Sequence, residues 1–495
     1  MNAASTCSRS PGLKAPTPKR WLIWTLAALG GGLQTLSLAP FDQWWCLPLA
    51  LAAWLFALQR DPIVGSFAYG VGLFGSGASW IWVSMVTISA TPIAIALVLE
   101  LAFLGLLAST LALCGWGYAR LRAPNPWLCF PALVVAAEVI RTFAFTGFPW
   151  LFAGYGLIDS PWGWLASVVG VYGLSALAAV VAVAVHQPSK LVVLLPILGL
   201  LAWLKPPPLG ADAQPISVRL IQPNVPAEKK WDPDWRTTIL NRHIEPTLTA
   251  DTDWVIWSEN AVPLYGADAD AFFNEMARQR PDIALFAGRL IEAPPNRTRR
   301  FYNAIEGFAD AGGRHYKSRL VPFGEYVPLE GALRGLIDFF DLPLSTIVPG
   351  HSSDPLRAGP TAVSALICYE VAYPLLAWTA SEQADVLLTV SNDAWFGHSI
   401  ARDQHLQMAR MRALELGRPM LRATNDGISA VIDAQGRISA RLDSGVTGYL
   451  DTTLNRTGID SLYRLWGPWP VWILSLGLLL SQWRGLALPS RRADR

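Results

Sequence analysis

Three short runs in the second half of this 495-residue chain put reactive side chains where an apolar, β-rich stretch gives way to a loop: Trp257-Ser258-Glu259-Asn260, Ile367-Cys368-Tyr369-Glu370 and Val390-Ser391-Asn392-Asp393. A thiol becomes a nucleophile when its proton is removed, and a carboxylate is a group that can remove it. Strand ends beside loops are also where α/β folds place ligands and catalysts. Taken singly, each run has a plainer reading. A glutamate after a strand is most often a solvated loop residue or a helix cap, and a cysteine closing an apolar strand is most often core. The six histidines (His186, His243, His315, His351, His398 and His405) form no HExxH or comparable ligand set, so no catalytic zinc is expected. There is no Walker A loop, no GxGxxG after a strand and no GxSxG elbow, which removes the common nucleotide and serine-hydrolase readings.

The elements that must position these groups lie between Ile216 and about Leu450. Ser217 to Gln222, Trp254 to Trp257, Ile283 to Gly288, Ala304 to Phe308, Val363 to Cys368, Val386 to Val390 and Ser429 to Ile432 read as strands, several apolar on both faces and so buried within a covered sheet. Asp268 to Arg280, Tyr373 to Glu382 and Ile400 to Leu416 read as helices. The pattern predicts a layered α/β domain of about 230 residues, enough to bury a full core. Pro206-Pro207-Pro208 before it reads as a stiff spacer lifting the domain off a bilayer.

A bilayer is implied by the rest of the chain. Hydrophobic residues make up 52% and charged residues 15%, and the mean hydropathy is +0.32. The net charge of +2 gives no field that would gather nucleic acid. Apolar segments at Trp21 to Ala39, Trp44 to Leu58, Ile63 to Val86, Pro92 to Trp116, Trp127 to Phe145, Trp162 to Val185, Lys190 to Leu204 and Trp466 to Trp483 read as seven membrane crossings before the polar region and one after it, the short seventh being the weakest. Trp21 to Ala39, with its basic flank and small-residue ending, also admits a cleaved signal peptide. Arg9, Lys14, Lys19, Arg20, Arg60, Arg120, Arg122 and Lys190 all fall in loops of one parity, and the opposite loops carry no Lys or Arg. The positive-inside rule then puts the N-terminus in the cytoplasm and the polar region on the far side, and returns Arg484, Arg491, Arg492 and Arg495 to the cytoplasm.

Tryptophans near the span ends, Trp150 among them, read as interfacial anchors. Glu100, Glu138 and Arg141 are ionisable groups in apolar surroundings; the last two share a helix face and could neutralise each other or meet a substrate. Gly147-Phe148-Pro149-Trp150 reads as a turn at the outer surface. The five cysteines fall singly, and Cys368 alone lies in the polar region, so that region holds no internal disulfide.

The strings WSEN, YKSRLVPFGEYVPLE, ICYE and VSNDAWFGHSIARDQHLQMARMRALELGRP together resemble the carbon-nitrogen hydrolase (nitrilase) superfamily. With the apolar segments and the GFPW loop, the whole chain is similar to the bacterial apolipoprotein N-acyltransferases. The resemblance implies a polytopic helical membrane domain joined to an αββα sandwich. Its parts would be a cytoplasmic tail at 1–20, a membrane domain of seven helices at 21–205, a periplasmic nitrilase-like catalytic domain at 215–455, a C-terminal transmembrane helix at 466–483 and a cytoplasmic tail at 484–495 of an inner-membrane protein. It also implies a Glu-Lys-Cys triad at Glu259, Lys317 and Cys368, with Trp-Ser-Glu where the family often has Trp-Pro-Glu.

In the chemistry so implied, Cys368 attacks a phospholipid ester with Glu259 as base, and Lys317 and the backbone N–H of Tyr369 hold the oxyanion. The thioester then passes its acyl chain to the α-amine of the diacylglyceryl cysteine of an apolipoprotein. Glu325 is implied to orient Lys317, and Trp231, Tyr369 and Glu370 to handle substrate or place loops. Leu333 to Leu344 reads as an apolar lid or an ordinary packing helix, and Asn392, Asp393 and Trp395 as supports of a strand-end loop. No cofactor, metal or nucleic-acid partner is expected, and the chain is expected to be a monomer. The rival readings are a membrane-tethered amidase using the same triad and a silent lipid-binding scaffold.

Overall fold

The structure is a computed structural model that describes residues 19–88, 91–121, 124–207, 210, 214–294, 300–322, 324–326, 347–351 and 354–483. The lid segment Leu333 to Leu344, Arg9, Lys14, Arg122 and the four C-terminal arginines lie outside the described residues.

The first half is helical: α1 (Arg20–Leu36), α2 (Cys46–Leu58), α3 (Pro62–Gly77), the short α4 (Trp80–Val83), α5 (Ile93–Tyr118), α6 (Pro126–Phe143), α7 (Ala166–Val185) and α8 (Pro188–Trp203). Each of the seven apolar segments expected before the polar region overlaps at least one of these, with one difference. The third segment is not a single helix to Val86, because α3 stops at Gly77 and a π-helical turn over Ser84–Ile88 follows α4. Among the described residues, three helices are long and apolar enough to cross a membrane by length and composition: Ile93–Tyr118, Pro126–Phe143 and Gly163–Val185. Cys46–Leu58, Pro188–Trp203 and Trp469–Ser481 are apolar but shorter.

The second half holds α9 (Arg236–Leu248), α10 (Gly266–Gln279), α11 (Pro374–Ala380), α12 (Ala401–Leu416), α13 (Leu462–Trp466) and α14 (Trp469–Ser481). Its strands are β1 (Ile216–Gln222), β2 (Trp254–Ile256), β3 (Ala284–Glu292), β4 (Phe301–Ala309), β5 (Ala311–Tyr316), β6 (Asp354–Ala358), β7 (Thr361–Ile367), β8 (Val386–Ser391), β9 (Met420–Thr424), β10 (Ser429–Ile432), β11 (Ile438–Leu442) and β12 (Gly448–Leu454). They join in one ladder of order β11-β10-β9-β8-β7-β6-β5-β4-β3-β2-β1-β12. The ladder folds back on itself, so that β1 meets β9 and both halves share a core of Val218, Leu220, Ile256, Phe286, Ile367, Leu388 and Leu421. The outer face of β1 to β3 packs on α9 and α10 around Trp257 and Phe273. The other outer face, through Leu366, Leu387 and Met420, packs on α11 and α12. The two halves of the folded ladder thus lie between two helical layers, an arrangement that covers both faces of the parallel strands.

The polar half is docked on the apolar half, not held away from it. Fourteen of the sixteen residues of α12 are buried although the sequence is polar, because its second face lies against the apolar helices. Gln404 accepts from the Trp150 indole N–H (2.6 Å) and donates to the Gly77 carbonyl (3.2 Å). Arg410 pairs with Asp159, and Glu415 accepts from the Val171 N–H (2.6 Å) where α7 breaks at Gly170. This contact means that Pro206 and Pro207 do not hold the two halves apart; Pro208 lies outside the described residues. It also corrects the reading of Trp150 as an interfacial anchor, since Trp150 is fully buried against the α/β half.

The loop carrying Trp150 is braced from within the apolar half. Glu138 and Arg141 do not neutralise each other by direct contact: Glu138 accepts from the Ala153 N–H (2.7 Å) and the Ser175 hydroxyl (2.9 Å), and Arg141 donates to the Trp150 carbonyl (3.0 Å). Gly147 has φ +98, and a Cβ there would lie 2.2 Å from the Thr142 carbonyl oxygen. Gly147→Ala is therefore expected to cost about 2 kcal/mol or more, read as a lowered Tm of the detergent-solubilised protein. An unchanged Tm would show that the loop tolerates a side chain.

Candidate active site

Parallel pairing of β7 with β8 aligns Ile367 with Val390, so the residues that follow, Cys368 and Ser391, are neighbours at adjacent strand ends. Cys368 is not the last strand residue, as the sequence suggests. It opens a 3-10 turn, Cys368–Ala372, with φ +53, a left-handed conformation that a residue bearing a Cβ seldom adopts. Glu259 follows β2 in the opposing half of the sheet. It approaches through Gly288 of β3, where a Cβ would meet the Ser258 carbonyl oxygen at 2.4 Å and the Glu259 Cα at 2.7 Å. Lys317 continues β5, with its N–H on the Asn303 carbonyl (2.8 Å).

These three elements converge on one buried cluster. Lys317 Nζ donates to Glu259 Oε1 (3.1 Å) and to Glu325 Oε1 (2.9 Å). Asn303 Nδ2 donates to the same two carboxylates at 2.7 and 3.1 Å, and the Asn392 N–H donates to Glu259 Oε2 (2.8 Å). Glu325 is fixed in turn by the Val321 N–H (2.9 Å). Burial alone would draw the Lys317 pKa down, but Glu259, Glu325 and the nearby Cys368 outweigh it and hold it well above the ordinary value. Lys317 is therefore an ammonium. Burial pushes the Cys368 thiol up, and Glu259 adds to that while Lys317 opposes it. The resting thiol keeps its proton, within the field of both other groups.

Glu370 and Tyr369 lock the turn. Glu370 accepts from the Ser318 N–H (2.7 Å) and hydroxyl (2.8 Å), the Arg319 N–H (3.2 Å) and the Ile367 N–H (2.8 Å), and meets His315 Nε2 at 3.2 Å. It ties the chain after Lys317 to the chain around Cys368. Burial alone would raise its pKa, but His315 and the N–H donors outweigh that and bring it to about 2. A depressed carboxylate pKa stabilises the fold above the unfolded value of 4.5 and loses that contribution as pH falls toward 2. The shift corresponds to about 3 kcal/mol at neutral pH. Glu370→Gln is expected to lower the thermal midpoint at pH 7, with the gap from the parent narrowing by about half between pH 5 and pH 3 and vanishing only toward pH 2; a gap independent of pH would contradict this account. Tyr369 donates to the Gly147 carbonyl (3.0 Å) and stacks on Trp150 at 6.3 Å, so the loop from the apolar half forms one wall of the site. Trp231 is 44% exposed and stands at the surface.

Three site residues escape the sequence reading. Asn303 bridges Glu259 and Glu325 and is the one polar, fully buried position of a strand whose expected start lay one residue later. Lys230, buried, donates to the Ala261 carbonyl (2.8 Å); burial lowers its pKa to about 7 although Glu259 opposes the change. Beside Lys229 it reads as surface charge, and no local pattern separates the two. His405 lies on α12, where a polar helix conceals its burial; its partners are Asp393 (3.0 Å), Arg422 (3.1 Å) and the Cys368 carbonyl (3.1 Å). Among the described residues no group of His, Cys, Asp and Glu is placed to hold a metal ion.

Comparison with known proteins agrees along the chain. Residues 30–184 match the family described as "Apolipoprotein N-acyltransferase N-terminal domain", and residues 217–464 match "Carbon-nitrogen hydrolase". A Pseudomonas syringae pv. tomato protein named apolipoprotein N-acyltransferase is 38% identical over 93% of this chain and 96% of its own length. One of the same name from Azotobacter vinelandii is 39% identical over 95% of each. Among solved structures, a CN-hydrolase superfamily protein from Xanthomonas campestris matches 52% of this chain and 97% of its own, at 15% identity and a TM-score of 0.35.

Proposed function

This chain belongs to the apolipoprotein N-acyltransferase family, and from that premise we propose how its residues carry out lipoprotein N-acylation. The observation that carries the proposal is the buried cluster of Glu259, Lys317 and Glu325 beside a thiol held in a left-handed turn.

Cys368 is the nucleophile. As its sulfur attacks the ester carbonyl of a phospholipid, Glu259 takes the thiol proton. The oxyanion that forms lies against the Lys317 ammonium and the Tyr369 N–H, each worth about 3 kcal/mol in a site closed to water. Collapse of the tetrahedral species breaks the ester C–O bond; the lysophospholipid oxygen leaves with the proton from Glu259, and the acyl chain remains as a thioester. In the second half, the neutral α-amine of diacylglyceryl cysteine attacks the thioester carbonyl and Glu259 takes its proton. The thiolate leaves and recovers that proton, and the product is an amide. Glu325 aligns Lys317. Glu370 and Tyr369 hold the turn, and Trp231 at the surface meets incoming substrate.

The remaining architecture follows the charge pattern. Residues 21–205 and 466–483 supply eight spans, with 1–20 and 484–495 in the cytoplasm, and residues 215–455 form the catalytic domain on the periplasmic side of the inner membrane of a monomeric enzyme. Substrate carbonyls then stay at the bilayer surface, avoiding extraction at about 0.8 kcal/mol per methylene. Reporter fusions beside Trp231 and at the C-terminus test the orientation; a cytosolic signal at Trp231 overturns it. The chemistry is tested by incubating purified protein with phospholipid alone. An acyl mass on Cys368 that hydroxylamine removes is expected, and its absence in protein that acylates lipopeptide would exclude the thioester.

A further inference from the structure

We infer that His405 is a positioning residue for the reaction: by donating Nε2–H to the Cys368 carbonyl it fixes the Cys368–Tyr369 peptide, and Trp150 from the apolar half holds the imidazole there. The inference rests on the reading of Cys368 as nucleophile. A carbonyl oxygen only accepts hydrogen bonds, so the ring nitrogen 3.1 Å from it carries a hydrogen. In a planar trans peptide the C=O and the following N–H point in opposite directions. Fixing the Cys368 carbonyl therefore also aims the Tyr369 N–H, the backbone donor assigned to the oxyanion.

The left-handed turn at Cys368 supplies the reason such a brace is needed. A conformation of this kind costs about 1–3 kcal/mol and persists only where its surroundings over-determine it. His405 is itself over-determined. Its Nδ1 lies 3.0 Å from Asp393 Oδ1 and 3.1 Å from an Arg422 guanidinium nitrogen, and Asp393 Oδ2 accepts from Arg422 (2.6 Å), all three being fully buried. The ring lies between the Trp150 indole, stacked at 5.8 Å, and Phe396, edge-on at 5.6 Å. Trp150 is pinned by its own indole N–H on Gln404, the residue preceding His405 on α12. The apolar half thus reaches the nucleophile through two side chains.

The test compares His405→Phe, which keeps a ring between Trp150 and Phe396 but has no donor, with His405→Gln, whose amide can reach the carbonyl. Single-turnover thioester formation on phospholipid alone is the readout. His405→Phe is expected to slow the maximal rate at least tenfold while the half-saturating phospholipid concentration stays within twofold, and His405→Gln to recover to within threefold of the parent. A purely structural role would lower Tm in both variants without this split or rescue. A parent-like rate in His405→Phe, or His405→Gln no faster than His405→Phe, overturns the inference. Should His405→Phe fail to purify as a single species, His405→Asn, too short to reach, takes its place; equal rates for Asn and Gln overturn the inference. Absence of thioester in the parent would remove the nucleophile reading as well, a result distinct from failure of the variants alone.

Discussion

Cys368→Ala abolishes acyl transfer: with phospholipid and a diacylated lipopeptide, the expected rate falls at least about a thousandfold, the scale on which loss of a covalent nucleophile acts. No acyl mass accumulates on the protein. The substitution removes one sulfur from a site already closed by Glu370, Tyr369 and His405, so the yield of monodisperse protein and its Tm should stay near the parent's. Serine at 368 is expected to be as inactive, because its hydroxyl holds its proton far more tightly than a thiol. Lipopeptide acylation by Cys368→Ala above about one per cent of the parental rate would exclude Cys368 as nucleophile.

Glu259→Gln is the second large effect. The amide has the carboxylate's shape but is a poor base, and proton transfer by a placed group contributes about 10²–10⁴-fold. One end of the amide must also present N–H groups to Lys317 and Asn303 or to the Asn392 N–H, which are all donors. Both half reactions need this base, so the variant should fail to accumulate thioester even when no amine acceptor is present. That separates it from a defect in the second half alone, which would trap the acyl-enzyme. A parental thioester burst in Glu259→Gln would assign the base elsewhere, with Glu325, which shares Lys317 and Asn303 with Glu259, and Lys230 as the alternatives.

Most of what positions the chemistry was legible because it is written in local pattern. Apolar runs located seven of the strands to within a few residues and put Glu259 and Cys368 at the ends of two of them, whereas Lys317, which follows the unnoticed β5, was reached only through the family resemblance. The strands that escaped notice are β5, β6, β9, β11 and β12. β11 and β12 are half-exposed edge strands with alternating burial, β5 is rich in glycine and β6 short; in β9 a buried arginine, Arg422, interrupts the apolar run. Helix α9 was missed because a proline and polar residues dilute its apolar stripe. The most consequential omission concerns α12. Its extent was read correctly, but a polar helix reads as solvated on one face, and its burial comes in part from Gln404, Gln407, Arg410 and Glu415 meeting specific partners across an interface. No single-chain periodicity carries that information.

The same helix limits modularity. Cutting the chain near 215 and 455 to obtain a convenient soluble enzyme would strip α12 of Trp150, Gly77, Asp159 and Val171 together, leaving Gln404 and Glu415 without these counterparts and the Cys368 turn without its wall. Such a fragment would be a sticky, poorly ordered reagent even if its sandwich formed. Exchange of catalytic halves between relatives would work only when the 146–171 stretch travels with 401–416, so these two distant segments form one inheritable unit.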